Sequence, residues 1–188
     1  MRIYLTPVRR WWVALAALAL LCVVCLKAGG AEVPLPTILS GVGGVPVRYF
    51  APLLLVIAVM YCSERRLTAV ERTAVTPIML WDRLVLTTLV IALHLLSPLI
   101  GLEVARNTML LLAVALVVQA LSNEAAAGAV CLMLLLGVAN TGRGYDPNGL
   151  VSARWWALPL QPSESVMAWS VALVLYAASL SLTAMVRR

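Results

Sequence analysis

The chain has 188 residues, of which 63% are hydrophobic and 12% charged, and its mean hydropathy is +0.99. Soluble domains carry roughly 45–50% apolar and 25% charged residues, so a soluble core of this size cannot hide so many leucines, valines and alanines. The net charge of +6 does not mark a nucleic-acid surface, because the arginines sit between apolar runs rather than in one patch, as topology signals do.

In chain order, Arg2, Arg9 and Arg10 precede an apolar run with the Trp11-Trp12 pair at its head. This predicts a first span over residues 11–27, N-terminus inside, with the tryptophans as interfacial anchors. A cleaved signal peptide ending in the small residues Ala28 to Ala31 is the alternative, and it leaves the orientation of the rest unchanged. The Gly- and Pro-dense stretch up to Pro46 reads as an external loop. A second span follows over 47–62, with Pro52 in its first turns, where proline is best tolerated. Residues 63–83 are too polar for lipid. A third span covers 84–100, and GLEVARN reads as a short external turn. Two short spans, 108–121 and 125–139, are separated by Ser122, Asn123 and Glu124, with Asn123 placed to cap the second. Residues 140–162 mix turn formers with LVSARWWALPL, which suits an external, re-entrant or interfacial loop. Ser163 is placed to cap a last span over 164–186. The expected fold is all-α: one polytopic transmembrane bundle of six spans, both termini cytoplasmic, multi-pass in the cell membrane.

The positive-inside rule agrees. Nine arginines (Arg2, Arg9, Arg10, Arg65, Arg66, Arg72, Arg83, Arg187 and Arg188) fall on the cytoplasmic side, against Lys27, Arg48, Arg106, Arg143 and Arg154 outside. Thirteen arginines to one lysine, with abundant Ala, Val and Leu, read as a GC-rich bacterial genome and hence a bacterial inner membrane.

Signals for chemistry are sparse. Ionisable residues inside a span are costly and mark function, yet His94 is the one candidate deep in a run. With Gln119 and Asn140 it forms the candidate lining of a translocation path, set against the plainer role of interhelical hydrogen bonding. A single histidine excludes a paired-His metalloprotease site, and no GxxxxGK[ST] segment is present. Cys22, Cys25, Cys62 and Cys131 lie in or beside apolar runs and read as small buried hydrophobes. No catalytic residue, cofactor or metal is expected, and no enzyme activity belonging to the chain itself.

The polar stretch carries the stronger signal. Written as a helix from Glu64 to Val75, it sets Leu67, Val70 and Ala74 on one face and Arg65, Thr68, Glu71 and Arg72 towards the other. Thr76-Pro77 then supplies a cap and a first-turn proline for the next helix. Its mixed charge suits a protein partner better than anionic lipid.

Six spans, an amphipathic cytoplasmic helix at 64–75 and an aromatic-containing loop at 140–162 before the last span together resemble the membrane subunits of ATP-binding-cassette exporters, type-2 permease class. The resemblance implies a permease subunit, paired with a second permease as homo- or heterodimer. It also implies a separate ATPase docking on Glu64, Arg65, Leu67, Thr68, Val70, Glu71 and Arg72, and re-entrant helices in the 140–162 loop. The alternative is a six-helix subunit that scaffolds or captures substrate without transport, like vitamin-uptake binding components. Those usually carry small-xxx-small pairs on the first helix, whereas here Ala14 is followed four places on by Leu18.

Overall fold

The computed structural model describes residues 10–37, 41–64, 78–145 and 151–186. Among them are six α-helices: α1 (Trp12–Ala28), α2 (Pro52–Glu64), α3 (Ile78–Ile100), α4 (Leu102–Leu121), α5 (Glu124–Thr141) and α6 (Val166–Val186). The helical bundle matches expectation, but the fold is not purely helical. Two antiparallel hairpins join helices: β1 (Glu32–Thr37) with β2 (Gly41–Pro46), and β3 (Arg143–Tyr145) with β4 (Val151–Ala153).

The first hairpin gives regular strand pairing to the stretch read as an external loop. Its register pairs Glu32 with Pro46, Pro34 with Gly44 and Pro36 with Val42, so all three prolines fall in alternate pairs. The intervening pairs, Val33 with Val45, Leu35 with Gly43 and Thr37 with Gly41, can therefore supply the ladder hydrogen bonds that proline cannot. The Val47 N–H donates to Ala31 O at 2.8 Å, extending the ladder in the same parity. Proline content signalled a loop, while proline spacing permitted a strand.

Four helices, α3 to α6, are long and apolar enough to cross a membrane. The first two are shorter, 17 and 13 residues, or about 26 and 20 Å at the usual helical rise, less than the roughly 30 Å of a hydrocarbon core. Large apolar side chains face outward along the bundle, with Leu95 76% and Leu121 77% exposed. All six tryptophans lie near its two ends: Trp11, Trp12 and Trp81 at one, Trp155, Trp156 and Trp169 at the other. That is the arrangement interfacial aromatic belts take.

Helix α4 is the centre. It packs against α2, α3, α5 and α6, while α1 lies outside against α2 and α3. Its most extensive packing is with α6, which buries Ala168, Ala172, Tyr176, Ser179 and Thr183 along one face. Small residues at this spacing let two backbones approach closely, which is how helices associate where water supplies no hydrophobic drive.

Helix ends are fixed locally. Asn123 caps α5 as expected, its Oδ1 accepting from Ala126 N at 2.8 Å. Helix α6 begins later than predicted; Ser165 Oγ accepts from Ala168 N at 3.4 Å, and Ser163 instead offers its carbonyl to Trp169 Nε1. In α3, Pro98 has no N–H to give the carbonyl four residues back. Ser97 Oγ donates to that carbonyl, His94 O, at 2.6 Å.

Between α3 and α4 stands one residue. Gly101 turns the chain at φ 104° and ψ 131°, and its N–H caps α3 through Ser97 O at 2.8 Å. A side chain there faces a conformation that L-residues rarely adopt, and its Cβ would lie 3.0 Å from Glu103 Oε1. Gly101→Ala is expected to destabilise the bundle by about 1–3 kcal/mol, read as a lower thermal midpoint of the detergent-solubilised protein. An unchanged midpoint contradicts the assignment.

Candidate functional site

GLEVARN was expected to be an external turn ahead of a span beginning at Thr108. From Leu102 onward it is instead the opening of α4, and it carries two buried polar side chains. Arg106 is 1% exposed and Asn107 is fully buried. Glu103, at the positive end of the helix dipole, stays near the surface and pairs with Arg48 at 3.0 Å. Arg106, three residues on, points into the protein.

There it meets backbone. The Arg106 guanidinium donates from Nη1 to Pro162 O at 2.8 Å, and from Nη2 to Gln161 O at 2.8 Å and Pro159 O at 3.5 Å. Nε and Nη2 also reach Asn107 Oδ1, each at 3.3 Å. Asn107 Nδ2 donates to Pro159 O at 2.9 Å, and Gln161 Nε2 continues the chain to Arg154 O at 2.8 Å. Among the described residues Arg106 has no carboxylate partner. It is a five-donor fork that satisfies carbonyls which two prolines have kept out of regular structure. Pro159 lies within the 3-10 turn Leu158–Leu160, and Pro162 follows it by two residues. The 140–162 segment is therefore a short hairpin and a clamped turn, and its described part contains no re-entrant helices.

The two hairpins, the clamped turn and the Arg48–Glu103 pair form a cap over one end of the bundle. Beneath it lies a cleft of about 480 Å³ lined by Glu32, Gly44, Pro46, Tyr49, Arg143, Ser152, Ala153 and Leu160. Arg48 lies over the Tyr49 ring, 5.8 Å from its centroid. At the opposite end, a second cleft of about 470 Å³ between α1 and α3 is almost wholly apolar, walled by Trp11, Trp12, Leu15, Trp81 and Leu84 among others. Among the described residues no three His, Cys, Asp or Glu side chains gather as a metal-holding group.

No family model, curated protein or solved structure matches this chain. Its chemistry therefore has to be argued from its own geometry.

The expected path residues lie on three different helices. His94 lies on α3, 5.5 Å from the Trp169 ring of α6, with Nδ1 2.7 Å from Val90 O. That carbonyl can only accept, so Nδ1 carries the hydrogen. Gln119 sits at the far end of α4, donating to Glu124 Oε1 at 3.3 Å, while its own buried Oε1 has no partner. Asn140 is near the end of α5 that meets the cap. Two of the three lie towards the cap and one at the other end, and α4 packs between the helices that carry His94 and Asn140. Of the expected docking residues, Glu64 is the last residue of α2, while Arg65, Leu67, Thr68, Val70, Glu71 and Arg72 lie outside the described residues, as do Thr76 and Pro77. Arg106, Asn107, Glu32 and Arg143 were not singled out by sequence. The usable signal was an Arg-Asn pair abutting an apolar run, with a proline pair elsewhere whose carbonyls needed donors.

Proposed function

We propose that the chain is the permease subunit of an ATP-binding-cassette exporter, driven by a separate ATPase that docks on residues 64–75. One observation carries the reading: the two ends of the bundle are built for different tasks. Pairings between helices fix which termini share an end. Cys62 Sγ donates to Arg10 O at 3.4 Å, and Trp11, Trp12 and Leu15 share a cleft with Trp81, Leu84 and Val85. The start of α1, the end of α2 and the start of α3 are thus together, joined through residues 65–77. The cap gathers the other connections, 29–51, Gly101 and 142–165. Its charges are close to balanced, five basic and four acidic by chain position, against nine basic and four acidic in the segments meeting at the opposite end. The positive-inside rule makes the basic end cytoplasmic, where a soluble ATPase can reach residues 64–75.

The centre of the bundle is filled by Leu111, Leu112, Ala115 and Val104, all fully buried. That packing leaves no open channel along α4 and supports, on this reading, transport between two permease copies. The same filled centre, with a polar cleft at the cap, favours a second reading: a subunit that captures substrate outside and hands it to another protein. Affinity purification in mild detergent, with the neighbouring genes co-expressed, separates the two. Recovery of a nucleotide-binding ATPase in stoichiometric amount is the expected result, and its consistent absence sinks the exporter reading.

A further inference from the structure

We infer that the cap cleft is a binding site for a small zwitterion, a molecule carrying an ammonium and an anionic group. Glu32 comes from the first hairpin and Arg143 from the second, and both line the same 480 Å³ space. Neither forms an ion pair or a hydrogen bond with any described residue. The contrast with Arg48 and Glu103 is instructive, since those two, at the same end of the bundle, close to 3.0 Å. Opposite charges on flexible side chains pair when the backbone allows it. Here the two hairpins hold them on separate walls of one cleft.

The walls are built to keep them there. Gly44 stands beside Glu32 in the sheet, and a Cβ on it would run into the Glu32 side chain, so the glycine provides the room that side chain occupies. Arg143 begins β3, directly after Gly142, where a Cβ would run into Val138 O and lie 2.7 Å from Ala157 Cβ. The Leu160 wall belongs to the turn whose flanking carbonyls Arg106 holds. Pro46, Ala153 and Leu160 supply apolar surface, and Tyr49 and Ser152 supply hydroxyls. A recess of this volume that joins groups of both charges and two hydroxyls to an apolar surface has the make-up of a small-molecule site. A simple cation or anion would satisfy one charge and leave the other without a partner; a zwitterion satisfies both, its ammonium on Glu32 and its anion on Arg143. Such a ligand has two sources, a free amino acid or short peptide and the headgroup of a zwitterionic phospholipid.

The test uses the full chain purified in detergent, with binding followed by calorimetry. The probes are alanyl-alanine, its N-acetyl and C-amide forms, and phosphorylcholine. Saturable binding of alanyl-alanine with at least tenfold loss on either blocking group is expected if the source is a peptide or amino acid. Tighter binding of phosphorylcholine than of alanyl-alanine supports the same site with a lipid source. Glu32→Gln is expected to weaken the zwitterion tenfold or more and to abolish the penalty of N-acetylation. Arg143→Gln should do the same for C-amidation. If no zwitterion binds the unaltered protein, or if both substitutions, in protein of unchanged circular dichroism, leave affinity within twofold, the assignment is overturned. Neither result depends on whether an ATPase is recovered with the chain.

Discussion

Replacement of Arg106 by alanine is expected to loosen the cap and lower the stability of the solubilised protein by about 1–3 kcal/mol, as loss of a buried, charged hydrogen-bond donor does. Pro159 O keeps a bond from Asn107, while Pro162 O and Gln161 O lose the charged donor that the structure gives them. Pro162 is exposed and Gln161 half-buried, so water replaces part of what is lost, and a hydrogen bond to a charged group is worth on the order of 1.5–3 kcal/mol. Lysine retains the charge but has no planar fork, so it cannot serve Pro162 and Gln161 together. Arg106→Lys should therefore fall between the wild type and Arg106→Ala. Thermal unfolding in detergent reads the magnitude, and limited proteolysis reads the location. In Arg106→Ala, cleavage in the 142–165 connection is expected well before cleavage within the helices. A midpoint and a cleavage pattern matching the wild type show that the clamp does not hold the cap.

What could be read from the sequence follows the range of the forces involved. Helix existence depends on local composition, and all six predicted runs contain a helix. Asn123 was legible as a cap because its bond to Ala126 spans three residues. Arg106 was not legible, because apart from the adjacent Asn107 its partners lie 53 to 56 residues away and are backbone carbonyls, which leave no trace in residue type. It was counted among external charges, a reasonable use of an arginine beside an apolar run, when its charge is in fact turned inward. The first hairpin was missed for a different reason. Proline and glycine content argued for irregular chain, and only the pairing register shows that Pro34, Pro36 and Pro46 avoid every position that must donate. For the candidate path, polarity singled out His94, Gln119 and Asn140, which lie on three different helices.

The exporter reading makes its sharpest claim about Arg65 and Glu71. On a helix these two lie six residues apart, within the face that carries Thr68 and Arg72. A docking helix of mixed charge owes its specificity to complementarity with its partner, where placing like charges opposite each other costs several kcal/mol. The combined exchange Arg65→Glu and Glu71→Arg keeps net charge and helix-forming tendency nearly constant, so insertion and topology are unaffected. Recovery of the ATPase with the permease is expected to fall at least tenfold, equivalent to about 1.4 kcal/mol, along with transport-coupled ATP hydrolysis, while the thermal midpoint stays at the wild-type value. A membrane-surface helix gives the opposite pattern, because lipid responds to net charge and apolar area rather than to the order of charges along the face. ATPase recovery that survives the exchange undiminished assigns residues 64–75 to the bilayer surface and removes the main physical ground for the exporter proposal.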